Sequence, residues 1–343
     1  MINLMEHMLP APPDGGFRMD GFWIWCGSVI RGEDGKYHMF ASRWPKSYTM
    51  HPGWIFKSEI VRAVSEKPEG PYTYVETVLP QRGSQYWDGR ATHNPFISKY
   101  KDTYILYYVG TTFPFSHISP DSTNIEDEKY IVAQSNKRIG KATSKSIFGP
   151  WKRSEKPVLD VRADHFDSFL VSNPAPYINK DGSVNLVYKA RAYEKDGSMG
   201  RMVLAAAYAD SYDELFSIRT DKPLFDFQND TSEHGAIEDP FIWKQDTVFY
   251  MIAKDMTGLI CGERYAGILA VSNDVLDWSL QKGVKSYSRK IIWSDGTVKE
   301  MGSFERPFIL FERGAPSCLF AAVSDGHDGF ANALNTWNMA IPM

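Results

Sequence analysis

Two short strings hold the densest chemistry in this chain. In AIEDPF, Glu238 and Asp239 stand side by side ahead of a proline and an apolar run, and in FERPF, Glu305 and Arg306 do the same. Carboxyls brought together in a partly dry site repel one another, so one keeps its proton towards neutral pH while another stays ionised. A pair divided in this way performs general acid and base catalysis. The cations Arg43, Lys189, Arg191, Lys254 and Arg306 outnumber what those carboxylates need. Arginine grips carboxylate, sulfate or phosphate with a two-pronged fork, so the excess points to a ligand that carries negative charge.

Residues this far apart meet only if the fold gathers them, and a repeat shows how it does so. Five segments share a small or polar residue, usually a following proline, an apolar strand, a turn and a second aromatic-rich strand. They read CGSVIRGEDGKYHMFASRW, NPFISKYKDTYILYYVGTT, NPAPYINKDGSVNLVYKAR, DPFIWKQDTVFYMIAKDM and RPFILFERGAPSCLFAAVSDG. From Cys26 through Asn94, Asn173 and Asp239 to Arg306 the spacings are 68, 79, 66 and 67 residues. GEDGK, NKDG and ERGAP supply the Gly, Asn, Asp and Pro of hairpin loops. Behind several hairpins a further strand follows, as in IVRAVSEKPEGPYTY, RIGKATSKSIFGPWKR, RMVLAAAYADSYDELF and GILAVSNDVLDWSL. Three or four strands in each of five units, with almost no helical periodicity, predict an all-β, five-bladed β-propeller. The propeller is expected to span residues 1–343 as one catalytic domain, with 1–20 as an entering segment.

In a propeller the first strand of each hairpin lines the axis, so strand starts and the ends of their partners open on one mouth. The starts nominate Trp25, His93, Asn94, Asn173, Glu238, Asp239, Glu305 and Arg306. The ends nominate Arg43, Trp44, Lys189, Arg191, Lys254, Asp255 and Asp325. The 14% aromatic share serves strand packing first, and aromatic faces also stack on the C–H faces of sugar rings.

Composition narrows the partners. With 43% apolar residues, 23% charged and a net charge of −4, the chain has no basic excess for a nucleic acid backbone. The opening MINLMEHMLPAPPDGG lacks the pattern of a signal peptide, and no apolar run reaches membrane-spanning length. Cys26, Cys261 and Cys318 suggest neither a disulfide framework nor a zinc site, which fits a cytoplasmic protein, or a periplasmic one if a signal had been removed. His38, His93, His165, His234 and His327 lack metal-ligand spacing and there is no DxDxDG loop, so no cofactor is specified.

The segment AIEDPFIWKQDTVFYMI resembles the general-acid segment of the five-bladed glycosidases of family 43, the arabinanases and β-xylosidases. EDP and the NP starts of two other blades also look like the inner strands of the family 130 mannoside phosphorylases. The resemblance implies an oligosaccharide substrate and sets Glu238 at the place of the acid. It departs at two positions: Cys26 stands where family 43 carries its basic Asp, and Asn173 where the modulating Asp is expected. Asp20, six residues before Cys26, is the replacement base expected here, with Asp88, Asp167 and Glu305 as substitutes. The wider superfamily implies that a structural divalent cation could sit at the funnel floor, although no residue here specifies one.

With Glu238 as acid and a carboxylate on the opposite wall, the expected reaction is exo-acting, inverting hydrolysis of a uronate-bearing or sulfated oligosaccharide. Phosphorolysis, which needs no protein base, and a non-catalytic carbohydrate-binding propeller are the alternatives. His93 is placed to hydrogen-bond a sugar hydroxyl or tune a carboxylate. The stretches from Pro114 to Tyr130 and from Phe225 to His234 are long enough to overhang the mouth.

Overall fold

Five antiparallel sheets radiate from one axis in a computed structural model that describes residues 3–115, 118, 125, 127–225, 235–327 and 329–343. Blade one contains β1 (Phe22–Arg31), β2 (Tyr37–Pro45), β3 (Glu59–Ser65) and β4 (Thr73–Leu79). Blade two contains β5 (Ala91–Tyr100), β6 (Thr103–Thr111), β7 (Arg138–Ser144) and β8 (Lys152–Arg153). Blade three contains β9 (Leu170–Ile178), β10 (Val184–Arg191), β11 (Val203–Ala209) and β12 (Ser217–Ile218). Blade four contains β13 (Ile237–Gln245), β14 (Val248–Asp255), β15 (Gly267–Ser272) and β16 (Ser279–Tyr287). A small hairpin, β17 (Lys290–Ile292) and β18 (Val298–Glu300), leads to blade five, which contains β19 (Ser303–Glu312), β20 (Ala315–Ser324) and β21 (Thr336–Pro342). Each inner strand packs on the next around the ring, and β19 closes it against β1. The entering segment adds to the outside of blade five, where Phe17 and Asn338 exchange both backbone hydrogen bonds.

The repeat read from the sequence is the blade. The hairpin loops turn through positive φ at Gly35, Lys101, Gly182, Asp246 and the pair Arg313–Gly314, the conformation that tight hairpins require. Middle strands such as β6, TYILYYVGT, are buried along their whole length because neighbouring blades cover both faces, which explains their unbroken apolar runs. Outer β4 is partly exposed and its sequence alternates accordingly.

The residue that opens each repeat has a shared conformation. Cys26, Asn94, Asn173, Asp239 and Arg306 all lie in the left-handed region, with φ of 56, 52, 50, 58 and 53°. At each of them the pairing of the inner hairpin slips, as a β-bulge does. Asn and Asp tolerate this region; Cys and Arg are uncommon in it, so the surrounding fold imposes it. The bulge turns five side chains towards the axis. Two residues further on, Phe96, Phe241 and Phe308 meet with ring centroids 5.2 to 5.8 Å apart and plug the axis, while Ser28 and Ala175 leave room for them.

Two helices sit between second and third strands: α2 (Gly53–Lys57) in blade one and α3 (Glu128–Ser135) in blade two, after the short N-terminal α1 (Leu4–His7). Asp127 caps α3 by accepting from the Lys129 amide at 2.8 Å. Among the described residues no helix is long and apolar enough to cross a membrane.

Candidate active site

Four of the five left-handed residues, Asn94, Asn173, Asp239 and Arg306, line the floor of a cavity of about 570 Å³, and Cys26 is tied to them from blade one. A chain of hydrogen bonds runs from blade to blade. The Cys26 thiol donates to Asn94 Oδ1 at 2.7 Å, Asn94 Nδ2 to Asn173 Oδ1 at 2.6 Å, and Asn173 Nδ2 to Asp239 Oδ1 at 2.7 Å. The Arg306 amide completes it by donating to Asp239 Oδ2 at 3.2 Å. Burial pushes the Cys26 thiol well up, so it stays protonated and donates. A divalent cation does not fit this floor. Its amide and carboxylate oxygens already accept hydrogen bonds, and the Arg306 guanidinium lies 3.6 Å from Asp239.

Above the floor, three carboxylates share one ammonium. Lys254 Nζ, only 3% exposed, lies 2.8 Å from Glu238 Oε2, 3.1 Å from Glu305 Oε1 and 3.7 Å from Asp239 Oδ2. Lys189 Nζ takes the other oxygen of Glu238 at 2.5 Å. Burial alone would raise Glu238, but the two ammonium groups outweigh it and hold the carboxyl well below the usual carboxylate range. This reverses the expectation that Glu238 is the protonated member. Glu305 has only Lys254 as cationic partner. Burial, with Asp239 and Glu238 beside it, pushes its carboxyl up to about 7 against the pull of that lysine. Both glutamates keep about 15% of their side-chain surface towards the cavity, within reach of a ligand. The two oxygens that contact Lys254 are within about 6 Å of each other, since both touch the same nitrogen.

The walls are aromatic on one side. Trp25, Trp44, Trp54 and Phe330 line the cavity, and Trp54 stacks on His93 with centroids 4.7 Å apart. Burial, with Lys137, Arg306 and Lys189 nearby, holds His93 well below its ordinary range; neutral, it shares a 2.8 Å hydrogen bond between Nδ1 and Ser58. His51 is lowered to about 4 by burial, and its Nδ1 accepts from Trp54 Nε1 at 2.9 Å.

The structure gathers many of the residues nominated from the sequence and scatters others. Trp25, Trp44, His93, Asn94, Asn173, Lys189, Arg191, Glu238, Asp239, Lys254, Glu305 and Arg306 all line the cavity. Asp20 is exposed and does not, so the expected base is misplaced: the entering segment passes outside blade five. Arg43 is spent on Glu59 at 2.8 Å. Asp88 accepts from Arg82, Arg153 and Tyr108, and Asp167 from Arg162 and Tyr188, in buried clusters away from the cavity lining. Asp255 accepts from the amides of Thr257, Gly258, Ile260 and Cys261, and Asp325 from those of Leu334 and Asn335; both fix loops. Sequence reasoning missed His51, Trp54 and Lys137, which come from α2 and the turns beside it and α3, whereas Tyr130 ends the stretch expected over the mouth and does line the cavity. Of the two stretches expected to overhang the mouth, 226–234, with His234, and most of 116–126 lie outside the described residues. Among the described residues no group of three or more His, Cys, Asp or Glu is disposed to hold a metal ion.

Known proteins share this architecture over almost the whole chain. A family 117 glycoside hydrolase from the marine bacterium Zobellia galactanivorans superposes with a TM-score of 0.67 at 15% identity, covering 98% of this chain and 89% of its own. A thermostable family-43 glycoside hydrolase superposes with a TM-score of 0.58 at 16% identity, covering 97% and 91%. The fold is that of five-bladed glycoside hydrolases. No family model matches the sequence. A curated 1,2-beta-oligomannan phosphorylase of Thermoanaerobacter sp. (strain X514) is 33% identical over 136 residues, 38% of this chain. The match spans 43% of the phosphorylase, less than half its length.

Proposed function

We propose that this chain is a glycoside hydrolase acting on the end of an oligosaccharide, with Glu305 as general acid and Glu238 as the ionised carboxylate facing the anomeric carbon. The observation that carries this reading is the shared ammonium: Lys254 binds both glutamates, yet only Glu238 has a second lysine. The two carboxyls therefore differ in protonation, as acid and anionic partner must. The folds of the glycoside hydrolase neighbours support the same reading. A cavity of this volume with a plugged floor suits a terminal sugar, with the tryptophans as stacking faces.

In the proposed reaction Glu305 passes its proton to the glycosidic oxygen as the C–O bond breaks, and Glu238 bonds to the anomeric carbon. Water, deprotonated by Glu305, then displaces Glu238, and the net result is hydrolysis. The inverting outcome expected from the sequence needs a base on the opposite wall. Among the described residues the carboxylates lining the cavity are Glu238, Asp239 and Glu305, all on blades four and five. An upper limit of about 6 Å between the two oxygens on Lys254 lies below the 6.5–9.5 Å of inverting enzymes, which supports retention. The test is to follow the first-formed anomer by NMR on an oligosaccharide or aryl glycoside that the protein cleaves. Retained configuration is expected, with loss of turnover in Glu305→Gln; an inverted product would remove Glu238 from the anomeric carbon.

Phosphorolysis is the second reading, favoured by cations that no carboxylate neutralises and by the phosphorylase named above. It predicts cleavage that requires inorganic phosphate and yields a sugar 1-phosphate.

A further inference from the structure

The cavity's cations fall into two groups. Lys189, Lys254 and Arg306 are neutralised by Glu238, Glu305 and Asp239. Lys137, in the turn after α3, and Arg191, at the end of β10, have no carboxylate partner among the described residues. Lys137 is only 3% exposed, and its ammonium has the face of Trp54, 5.0 Å away, as its close partner. Arg191 is buried too. One of its five N–H groups donates to Gly200 O at 2.7 Å, and the others have no partner among the described residues. Glu238 is the carboxylate whose charge reaches both, but each of its oxygens already holds a lysine.

We infer that the corner of the cavity between Lys137 and Arg191 is a binding site for one oxyanion, carried either as a carboxylate on the substrate sugar or as free phosphate. Burial, with Lys189 and Arg191 nearby, holds Lys137 well below the ordinary lysine range, and an oxyanion between it and Arg191 would favour its charged form and offset the desolvation of both. The neighbouring groups fit an anion. His51, whose Nδ1 accepts from Trp54, is left as a donor at Nε2. Tyr130 accepts from Gln134 at 2.8 Å, so its own hydroxyl hydrogen is also available. Lysine, arginine, histidine N–H and phenol give a set of donors around one space, with an arginine fork for two oxygens. The site rests on the reading of the cavity as a glycoside pocket for its substrate-borne form, but not for its phosphate form.

The experiment titrates wild type and Lys137→Met with three kinds of probe by calorimetry: methyl hexopyranosides, the corresponding methyl uronosides, and inorganic phosphate. The wild type is expected to bind uronosides or phosphate at least tenfold more tightly than Lys137→Met, while any uncharged glycoside changes by less than twofold. A loss confined to uronosides assigns the anion to the substrate; a loss confined to phosphate assigns it to the free ion. If neither anion binds the wild type, or both bind the variant equally well, the site is overturned. Binding of uncharged glycosides without anion dependence overturns the site and spares the glycoside reading, whereas binding of phosphate without any sugar does the reverse. Thermal denaturation in anion-free buffer separates function from folding. Removing an unpaired ammonium should leave the melting temperature unchanged or raise it, and a fall would mark Lys137 as structural and overturn the proposal.

Discussion

Two sets of buried acids use the same residue types to opposite ends. On blades two and three, Asp88 and Asp167 are wholly buried, and each is surrounded by its own donors: two arginines and a tyrosine for Asp88, one arginine and a tyrosine for Asp167. On blades four and five, Glu238, Asp239 and Glu305 crowd around a single Lys254. Local neutralisation makes the first set part of the scaffold. In the second, burial and the neighbouring Asp239 and Glu238 push Glu305, whose one cation Lys254 is shared, up to about 7. A carboxylate's role therefore follows from whether its donors are its own or shared.

The sharpest way to break this comparison is to remove the shared proton. Glu305→Gln should lower turnover of an unactivated substrate by about a thousandfold, within the range of a lost general acid, while the fold persists. Steady-state kinetics with circular dichroism on the same sample would check it. Asp88→Ala should do the converse. It leaves Arg82 and Arg153 facing each other without a counterion, and about 3 kcal/mol of stability should disappear in urea denaturation.

The pH dependence sharpens the contrast further. The folded protein binds a proton at Glu305 up to about 7, above the range of an exposed glutamate, so the native state holds more protons than the unfolded chain in between. Stability from this group is present at lower pH and is lost as pH rises towards 7, by an amount on the order of 3 kcal/mol. Turnover should fall as pH passes through about 7, where the folded protein gives up this proton, and Glu305→Gln should flatten the stability profile. The smallest effect is expected at the wall: Trp54→Ala should weaken binding of a terminal sugar about fivefold, or about 1 kcal/mol, as measured by KM or calorimetry.

Much of this molecule was legible in the chain. The five repeat openings proved to be five bulged residues at the axis, because each blade needs the same backbone turn there and the sequence records it as Cys-Gly, Asn-Pro, Asn-Pro, Asp-Pro and Arg-Pro. Position within that repeat was enough to place Glu238, Glu305, Lys189, Lys254 and Arg306 around one cavity. The same reasoning failed for Asp20, whose segment has no place in the repeat, and for Arg43, Asp88 and Asp167, whose partners lie in the same or neighbouring strands and turns. It missed Trp54 and Lys137, which belong to loop insertions outside the repeated hairpins.

The sequence by itself determined the blades, since turn residues and apolar runs act locally and recur with the period of the fold. Which glutamate holds the proton was decided by the tertiary structure alone. Protonation depends on the number of ammonium groups within a few ångströms, and Lys189, Lys254, Glu238 and Glu305 come from three blades whose approach no local pattern encodes.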